Sequence, residues 1–533
     1  MTEEELKKWM DELHALRDTA KPAEVIALAR ATLQMDRSDI NVRAIAASSL
    51  IDAGTEIADL ESIREGMKLI EELLENPVPK PSWITTQQYN LSNGYGSLYR
   101  ILYDKGDHLS AFKARTRQKL LLQALLLQSA SVSSRFLPWV HTNYANVLDE
   151  LDRTIEAIDY YATAMQIDPQ HMLARGNCGE ALHRFVVMTR DHWLQNLDAS
   201  VRFLETANAT PDDIIKRAGH GAAASINRRN KEVRAFAEKR VKGGLAALEA
   251  WRPHREEVHG QPASSPWLSR IVIDRLLLTF NQFPLFSESE AVDDLFFARL
   301  GFDLDKKARK WSVALIFLLN LIKEEFVTAR HLYYLAVFPG EREREADDIS
   351  TYGDPAEFAR FGLDAGLLKT SLRTAVDLLD KVAAFINLYL KLGHDERAVN
   401  FNVVWFTKCS PAKGEHSTIA SLRSSNRWVA VLRDLCDDWY NQTYPGPFKD
   451  LRNVIAHRGL VLFAEKIGEQ ASSMRSTEDL ANETLLMLRT AKAAIGYLVL
   501  LVNEEEDRRE RDGGKFRLMQ PLPTRSSKRK RGL

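Results

Sequence analysis

The sequence predicts an all-α protein. Apolar residues recur at helical spacing through most of the N-terminal half, and no window shows the strand alternation and turn signals of a hairpin. The second half contains four long apolar segments of helical length. The chain has 533 residues, which at roughly 150 residues per domain allows about three or four domains.

Composition and charge exclude several classes of protein. The chain is 45% hydrophobic and 27% charged, as globular proteins are, which argues against a disordered, collagenous or membrane-embedded chain. A net charge of −1 gives no overall attraction to nucleic acid or anionic membrane, so such contacts must be local. The three cysteines lie far apart without a C-x-x-C pair, which disfavours disulfides and a cysteine metal site. We expect a cytoplasmic protein.

Targeting signals are not expected. The first ten residues lack the basic start and apolar run of a secretory signal. The longest apolar stretches, Trp311–Ile322 and Ala493–Val502, fall short of the ~20 residues that cross a bilayer. We expect both to be buried helices and no membrane association.

The clearest unit of the N-terminal half runs from Pro138 to Pro169. It predicts two helices separated by a break near Asp152, with small residues at Ala145 and Ala157 that would let the helices approach closely. Tyr144, Leu148, Tyr161 and Ala164 complete the pattern. This pattern resembles a tetratricopeptide repeat of ~34 residues.

Other segments extend the repeat pattern. Gly179 follows Ala145 by one period, and weaker copies precede the clear unit at Ala23 with Ala27, at Ala46 with Ala47 and at Gly94 to Tyr99. The register of these copies stays open, but the region has room for five or six repeats. We therefore predict a tetratricopeptide-like helical solenoid that holds a protein or peptide partner.

Breaks in composition suggest four segments. Pro, Gly, Ser and charged residues collect between Trp251 and Pro266. We predict a repeat domain over 1–251, a connector over 252–309, a helical bundle over 310–503 and a charged, disordered tail over 504–533. The apolar pieces within 267–305 are compatible with short strands or short helices.

The bundle is predicted from four apolar helical segments. They span 310–337, 367–392, 426–440 and 481–503. Two polar insertions, 340–357 and 410–424, indicate surface loops.

One segment between the last two bundle helices carries the strongest chemical signal. The sequence FKDLRNVIAHRGLVL, residues 448–462, follows Pro445-Gly446-Pro447. A helix beginning there would bring Arg452, Asn453 and His457 within little more than one turn. Imidazole exchanges protons at neutral pH, and guanidinium stays charged and can bind phosphate oxygens, so a proton-exchanging group and an anion-binding cation would lie close together.

This motif, placed after the third helix of a bundle, resembles that of the HEPN superfamily of ribonucleases. The stretch from Asp380 to Asn387 on the second helix is also similar to HEPN helices. The resemblance covers roughly 310–503 and implies a homodimer in which two motifs form one cleft, with His457 and Arg452 acting on RNA and Asn453 orienting phosphate or His457. It implies 2′,3′-cyclic phosphate and 5′-OH products and a role in prokaryotic antiviral defence or as a toxin.

Further residues are candidates for contacts with RNA. Lys449 and Arg458 flank the motif, and Glu325 and Arg330 on the first bundle helix could line the same cleft. Charged residues on a long helix more often form a solvated face. Arg452 and His457 could likewise be a surface-paired arginine and a hydrogen-bonded histidine, in a bundle that does not catalyse.

Other motifs favour ordinary explanations. HREEVH at 254–259 does not have the H-E-x-x-H spacing of a zinc protease, and neither a Walker loop nor G-x-G-x-x-G occurs, so no metal or cofactor is expected. The basic end TRSSKRKRGL could attract phosphate but offers no aromatic stacking. The alternative to a regulated ribonuclease is a non-catalytic dimeric scaffold whose repeats recruit protein partners.

Overall fold

The fold is known from a computed structural model. It describes residues 3–18, 21–35, 39–75, 80–189, 191–259, 265–285, 290–300, 306–340, 345, 359–440, 460–463 and 474–512. Helices dominate these residues, together with three short strands. The prediction of an all-α protein is confirmed.

The chain divides into two compact units. Unit 1 comprises Met1–Ala181 and Val201–Glu232, and unit 2 comprises Leu182–Ser200 and Val233–Leu533. The boundary suggested by the composition of 251–266 lies inside unit 2.

Helices α1 to α8 belong to unit 1, and α9 to α11 contribute residues to both units. Their bounds are α1 Glu3–Asp18, α2 Pro22–Met35, α3 Ile40–Glu56, α4 Leu60–Leu74, α5 Pro81–Asp104, α6 His108–Leu127, α7 Leu137–Glu150, α8 Thr154–Ile167, α9 Met172–Thr189, α10 Trp193–Asn208 and α11 Pro211–Arg240. Successive helices from α1 to α8 pack against their neighbours in the chain. Short connections between such helices make them antiparallel pairs.

Local sequence explains where several of these helices begin. The carboxylates of Asp39, Asp59 and Asp107 accept hydrogen bonds from main-chain N–H groups in the first turns of α3, α4 and α6. Such N-caps satisfy donors that have no partner within the helix.

The close packing of α4 on α3 depends on Gly66. A Cβ at this position would lie 2.5 Å from the carbonyl oxygen of Ala47. The two helices can therefore approach this closely only because residue 66 is glycine.

The predicted helical pair within 138–169 is present. It forms α7 and α8, with Asp152 at a φ of 59° in the turn between them. Ala145, Ala157 and Tyr161 are buried between the helices and their neighbours. The membership of these pairs in the tetratricopeptide family stays a prediction.

Unit 2 contains the predicted bundle. Its helices are α12 Gly244–His259, α13 Pro266–Ile273, α14 Lys306–Val337, α15 Leu363–Leu390, α16 Ser417–Arg423, α17 Arg427–Tyr440 and α18 Thr477–Arg511. The helices α14, α15 and α18 pack against one another, and α17 packs on α18. The four long helices predicted from apolar periodicity therefore all exist. Their bounds lie within four residues of the expected ones, except that α18 continues eight residues past 503. The prediction of a disordered tail is thus wrong for 504–511, where pairs such as Arg508 with Glu505 stabilise the helix.

The central helix of the bundle is α18. Every residue from Ala491 to Val502 is buried. Among the described helices, α18 is long and apolar enough to cross a membrane, and 83% of that apolar window is buried inside the protein. The predicted burial of 493–502 is confirmed. It is wrong for much of 311–322, where Ser312, Leu315, Leu319 and Ile322 are buried but Phe317 and Leu321 are 68% and 42% exposed.

Three short strands lie beside the bundle. They are β1 Ala359–Arg360, β2 Val461–Phe463 and β3 Met474–Ser476. The strand β2 is central, antiparallel to β1 and parallel to β3. This sheet anchors the chain immediately after residues 441–459.

The segment 274–300 forms neither the short strands nor the short helices with which its sequence is compatible. It begins after α13 and runs without a strand or helix through its described residues 274–285 and 290–300. Long cationic side chains of the bundle hold its main chain: Arg489 Nε donates to the Asp274 carbonyl at 3.0 Å and Lys492 Nζ to the Arg275 carbonyl at 2.9 Å. Such bonds satisfy buried carbonyls that have no ladder partner.

Candidate functional site

The predicted catalytic residues lie outside the described residues. Arg452, Asn453 and His457, with the flanking Lys449 and Arg458, all fall within 441–459. Their roles stay predictions, and the structure defines the elements before and after them, α17 and β2.

The chain that follows the motif is buried and hydrogen-bonded to the start of α18. Leu460, Leu462 and Phe463 are each less than 5% exposed. The Thr477 hydroxyl donates to the Phe463 carbonyl at 3.2 Å, and the Ser476 hydroxyl caps α18 by accepting from Asp479 N at 2.9 Å. The chain that leaves the motif is thus fixed to the start of the central helix within a few residues.

A titratable pair stands at this same end of the bundle. Arg475 on β3 lies 3.5 Å, Nε to Oε1, from Glu483 on α18. Burial raises the pKa of Glu483 to about 7, despite the opposing influence of Arg475. The side chain of Glu483 is 15% exposed. A carboxyl group that titrates near neutrality beside the exit of the motif could exchange protons there.

Sequence reasoning did not identify Glu483. Its neighbours Asn482 and Thr484 are polar, so nothing in the local sequence separates it from a solvated helix residue. The pairing of β3 with β2 brings Arg475 against α18, and this tertiary contact has no signal in a single sequence.

The structure gives Arg330 a different environment from the predicted cleft. Arg330 is 6% exposed, and its guanidinium forms a bidentate pair with Asp293, at 2.9 Å and 2.6 Å. The same Nη1 also donates to the Leu276 carbonyl at 2.7 Å. These bonds tie α14 to the segment 274–300 and engage three of the five N–H donors of the side chain without RNA.

Glu325 is also engaged within the bundle. Its Oε2 lies 2.7 Å from Lys381 Nζ on α15, and both side chains are about one-quarter exposed. This pair joins the first two bundle helices. Lys381 stands within 380–387, the stretch whose sequence is similar to HEPN helices.

Lys323 completes the attachment of α14 to the connector. Its Nζ donates to the carbonyls of Asp293 and Leu295 at 3.2 Å and 2.7 Å. Burial lowers the pKa of Lys323. Together with the buried Arg330, the half-buried Lys323 places two cations against one short segment.

A second polar cluster involves the turn before α10. His192 Nε2 lies 2.8 Å from Asp294 Oδ2. This hydrogen bond raises the pKa of His192. Burial alone would raise the pKa of Asp294, but the bond to His192 leaves it below the ordinary value.

A cleft of unit 2 has a volume of about 660 Å³. Its wall includes Trp428 and the pair of Arg299 and Asp507, which lie 3.2 Å apart. Arg299 N also donates to Asn503 Oδ1 at 3.2 Å. Four arginines and four carboxylates line the cleft, so its formal charge favours neither anions nor cations.

The described residues contain no group of three or more His, Cys, Asp or Glu side chains that could hold a metal ion. Cys178 and Cys436 are buried as free thiols, and Cys409 is partly exposed.

Comparison with known proteins follows this geometry. Residues 308–505 match the family model LA2681-like HEPN. The C-terminal part of the chain is a HEPN domain. The match extends over α14 to α18 and includes the motif at 452–457, and its bounds lie within two residues of the 310–503 over which the sequence resembles the family. No curated protein matches the chain.

Proposed function

We propose that the protein is a metal-independent endoribonuclease of the HEPN type, with Arg452, Asn453 and His457 as its catalytic residues. The observation that carries this proposal is the HEPN match over 308–505, which surrounds the motif. The frame formed by β2, β3 and the start of α18 supports it, because a catalytic segment must be held in a fixed geometry.

The chemistry follows from the side chains. His457 would take the proton of the ribose 2′-OH or return one to the departing 5′-oxygen, since its ordinary pKa of ~6.5 allows both roles at neutral pH. Arg452 would bind the phosphate oxygens as negative charge accumulates on them. Asn453 would orient the phosphate or His457. The products would be 2′,3′-cyclic phosphate and 5′-OH ends.

The proposal includes a homodimer and a regulated activity. Two HEPN domains would pair so that both motifs contribute to one RNA cleft. The helical pairs of the N-terminal half would hold a protein or peptide that restrains or triggers cleavage, in prokaryotic defence or toxin-like growth control within the cytoplasm. Lys449 and Arg458 would add contacts with the RNA backbone.

The test is cleavage of labelled total RNA and tRNA by the purified protein in EDTA. We expect discrete cuts with cyclic-phosphate ends from the wild type and none from His457→Ala or Arg452→Ala. The matched controls are His220→Ala and Arg373→Ala, both exposed residues outside the motif, and these should cut as the wild type does. Equal RNA turnover and equal toxicity in cells for wild type and His457→Ala would refute the proposal and favour a scaffold.

Dimerisation is tested separately by sedimentation. A dimer that persists in His457→Ala, together with loss of cleavage, separates catalysis from assembly. Mixing an excess of His457→Ala chains with wild type should lower the activity per wild-type chain if both protomers contribute to one site. An unchanged activity per wild-type chain would show that each protomer cuts alone.

A further inference from the structure

Three large apolar side chains of unit 1 are exposed around the turn from α5 to α6. Tyr103, Leu109 and Phe112 are 45%, 70% and 51% exposed. The centroid of the Tyr103 ring lies 4.8 Å from that of His108 and 6.5 Å from that of Phe112. Single exposed apolar residues are ordinary, whereas a contiguous set often marks an interaction site. We call Tyr99, Tyr103, His108 and Phe112 the aromatic patch.

The turn between the two helices brings these rings together. Gly106 has a φ of 82°, a conformation that glycine adopts without steric cost. Asp107 N donates to the Leu102 carbonyl at 2.9 Å, which closes the end of α5. The Asp107 carboxylate accepts from Ser110 N at 3.2 Å, which begins α6. Rings from both helices therefore meet at one surface.

One ring of the patch already stacks on a planar cation. The Arg115 guanidinium lies 3.7 Å from the centroid of the Tyr99 ring. Arg115 is 6% exposed, pairs with Glu150 and donates to Gln118 at 2.6 Å. The ring of Tyr103 packs at 5.7 Å from that of Tyr99. These contacts hold part of the patch in place beforehand, so binding a ligand would lose less side-chain entropy.

The charge around the patch is positive. Residues 99–119 contain six Lys and Arg against two Asp, a net charge of +4, in a chain whose net charge is −1. The sequence of α6 includes four Lys and Arg and no Asp or Glu. Four cations of this stretch are exposed, namely Arg100, Lys105, Lys113 and Arg117. On a helix, residues three or four apart share a face, so Arg100 lies on the same face of α5 as Tyr103.

Exposed rings among cations match the chemistry of single-stranded nucleic acid. Cations attract its phosphates, and each unpaired base has a face that stacks on an aromatic ring. A base-paired duplex keeps its bases stacked inside and offers mainly its backbone. An acidic peptide would satisfy the cations but leave the rings without a planar partner. The combination of groups therefore favours an unpaired strand.

We propose that the aromatic patch binds single-stranded RNA, with bases stacked on Tyr103 and Phe112 and phosphates contacting Arg100 and Lys113. This deepens the proposed function and rests on it for the choice of RNA, because it gives unit 1 a surface for the substrate. Its test measures binding alone, on full chains that carry His457→Ala so that the RNA stays intact. A motif that does not cut and a patch that does not bind are therefore told apart.

The first experiment titrates a labelled oligouridylate of about 12 nucleotides by fluorescence anisotropy, within the range of single-strand site sizes. Stacking on an aromatic ring changes affinity by about fivefold to 140-fold per base. We expect Tyr103→Ala with Phe112→Ala to weaken binding at least about tenfold. Tyr103→Leu with Phe112→Leu should weaken it similarly, because leucine keeps apolar surface and lacks a ring face. The control Leu127→Ala, 44% exposed at the other end of α6, should bind as the parent chain does.

The second experiment tests the phosphate contacts through exposed residues whose substitution leaves the core untouched. For single strands, the logarithm of the affinity falls with the logarithm of the salt concentration, with a slope of about −0.7 per phosphate contacted. Arg100→Gln with Lys113→Gln should therefore make the slope shallower by about 1.4. The control Lys68→Gln, whose side chain is 79% exposed on α4, should leave the slope unchanged.

Four results would overturn the proposal. One is a parent chain that does not bind the oligouridylate, or an alanine variant that binds it equally well. Another is a leucine variant that binds as the parent does, which would indicate apolar docking of a protein. The third is a duplex of the same length that loses as much affinity as the single strand in the alanine variant. The fourth is self-association, measured by sedimentation, that the alanine variant abolishes, since the patch would then be an interface between two copies of the chain.

Discussion

Removing one partner of the Arg330–Asp293 pair should destabilise unit 2 strongly. The side chain of Arg330 is 7% exposed and that of Asp293 is 22% exposed. Truncating one member of a buried pair leaves an uncompensated charge, which costs about 3–5 kcal/mol. Because Asp293 keeps some contact with solvent, we expect Arg330→Met to cost about 3 kcal/mol, at the lower end of that range.

The change should appear in hydrogen exchange at one amide. Leu278 N donates to Asp293 Oδ1 at 2.8 Å, so its amide reports on the attachment of this segment. A loss of about 3 kcal/mol in opening free energy corresponds to roughly 150-fold faster exchange. Local exchange is the better assay because unfolding of a chain with two compact units need not be two-state.

Two further variants distinguish loss of the Arg330–Asp293 ion pair from nonspecific destabilisation. Asp293→Asn keeps an acceptor for Leu278 N and removes the charge, so Arg330→Met with Asp293→Asn should cost less than the sum of the single changes. Arg373→Met breaks an exposed pair with Asp377, in which Arg373 is 61% exposed, and should change exchange by less than about threefold. If Arg330→Met were as mild as Arg373→Met, the buried pair would not be what holds the segment.

Three other predictions follow from packing and titration. Gly66→Ala should lower stability by about 1–3 kcal/mol in thermal unfolding because its Cβ would meet a carbonyl at 2.5 Å, whereas Gly221→Ala, with no atom within 4 Å, should not destabilise. Glu483→Gln should raise the free energy of unfolding by about 1–3 kcal/mol at pH 8, seen as a higher melting temperature, and should change it little at pH 4. Equal gains at both pH values would contradict this. The wild type loses stability as pH rises from the ordinary pKa of 4.5 to about 7, because in this interval the unfolded form gives up the proton that the folded form still holds. The pKa of His192 is raised, so its ion pair with Asp294 contributes its full stabilisation below pH ~6.5, and this contribution is lost as pH rises through the raised pKa. Hydrogen exchange around Asp294 should therefore accelerate over that pH range, and His192→Gln should abolish the pH dependence.

The helices were predictable because their signal is local. Apolar residues at helical spacing identified the four bundle segments, and Pro138 with the break at Asp152 delimited α7 and α8. The HEPN span was predictable for a related reason: the motif residues and the surrounding bundle order stand in one continuous sequence. In contrast, apolar periodicity did not predict the structure of 274–300, because side chains from distant helices hold its main chain in place.

The sequence by itself determined the helical class, the position of the HEPN domain and the motif proposed to act in it, because each depends on neighbours within a turn or on residue order. The tertiary structure decided which charged and amide groups meet. Arg330 resembles any arginine on a long helix until the fold brings Asp293 to it, 37 residues away along the chain. The asparagines of α5, α7 and α9 likewise meet only in the fold, where hydrogen bonds join side chains 31 and 50 residues apart in the chain. Such contacts join residues that lie far apart in the chain, and no local spacing in a single sequence identifies the two partners.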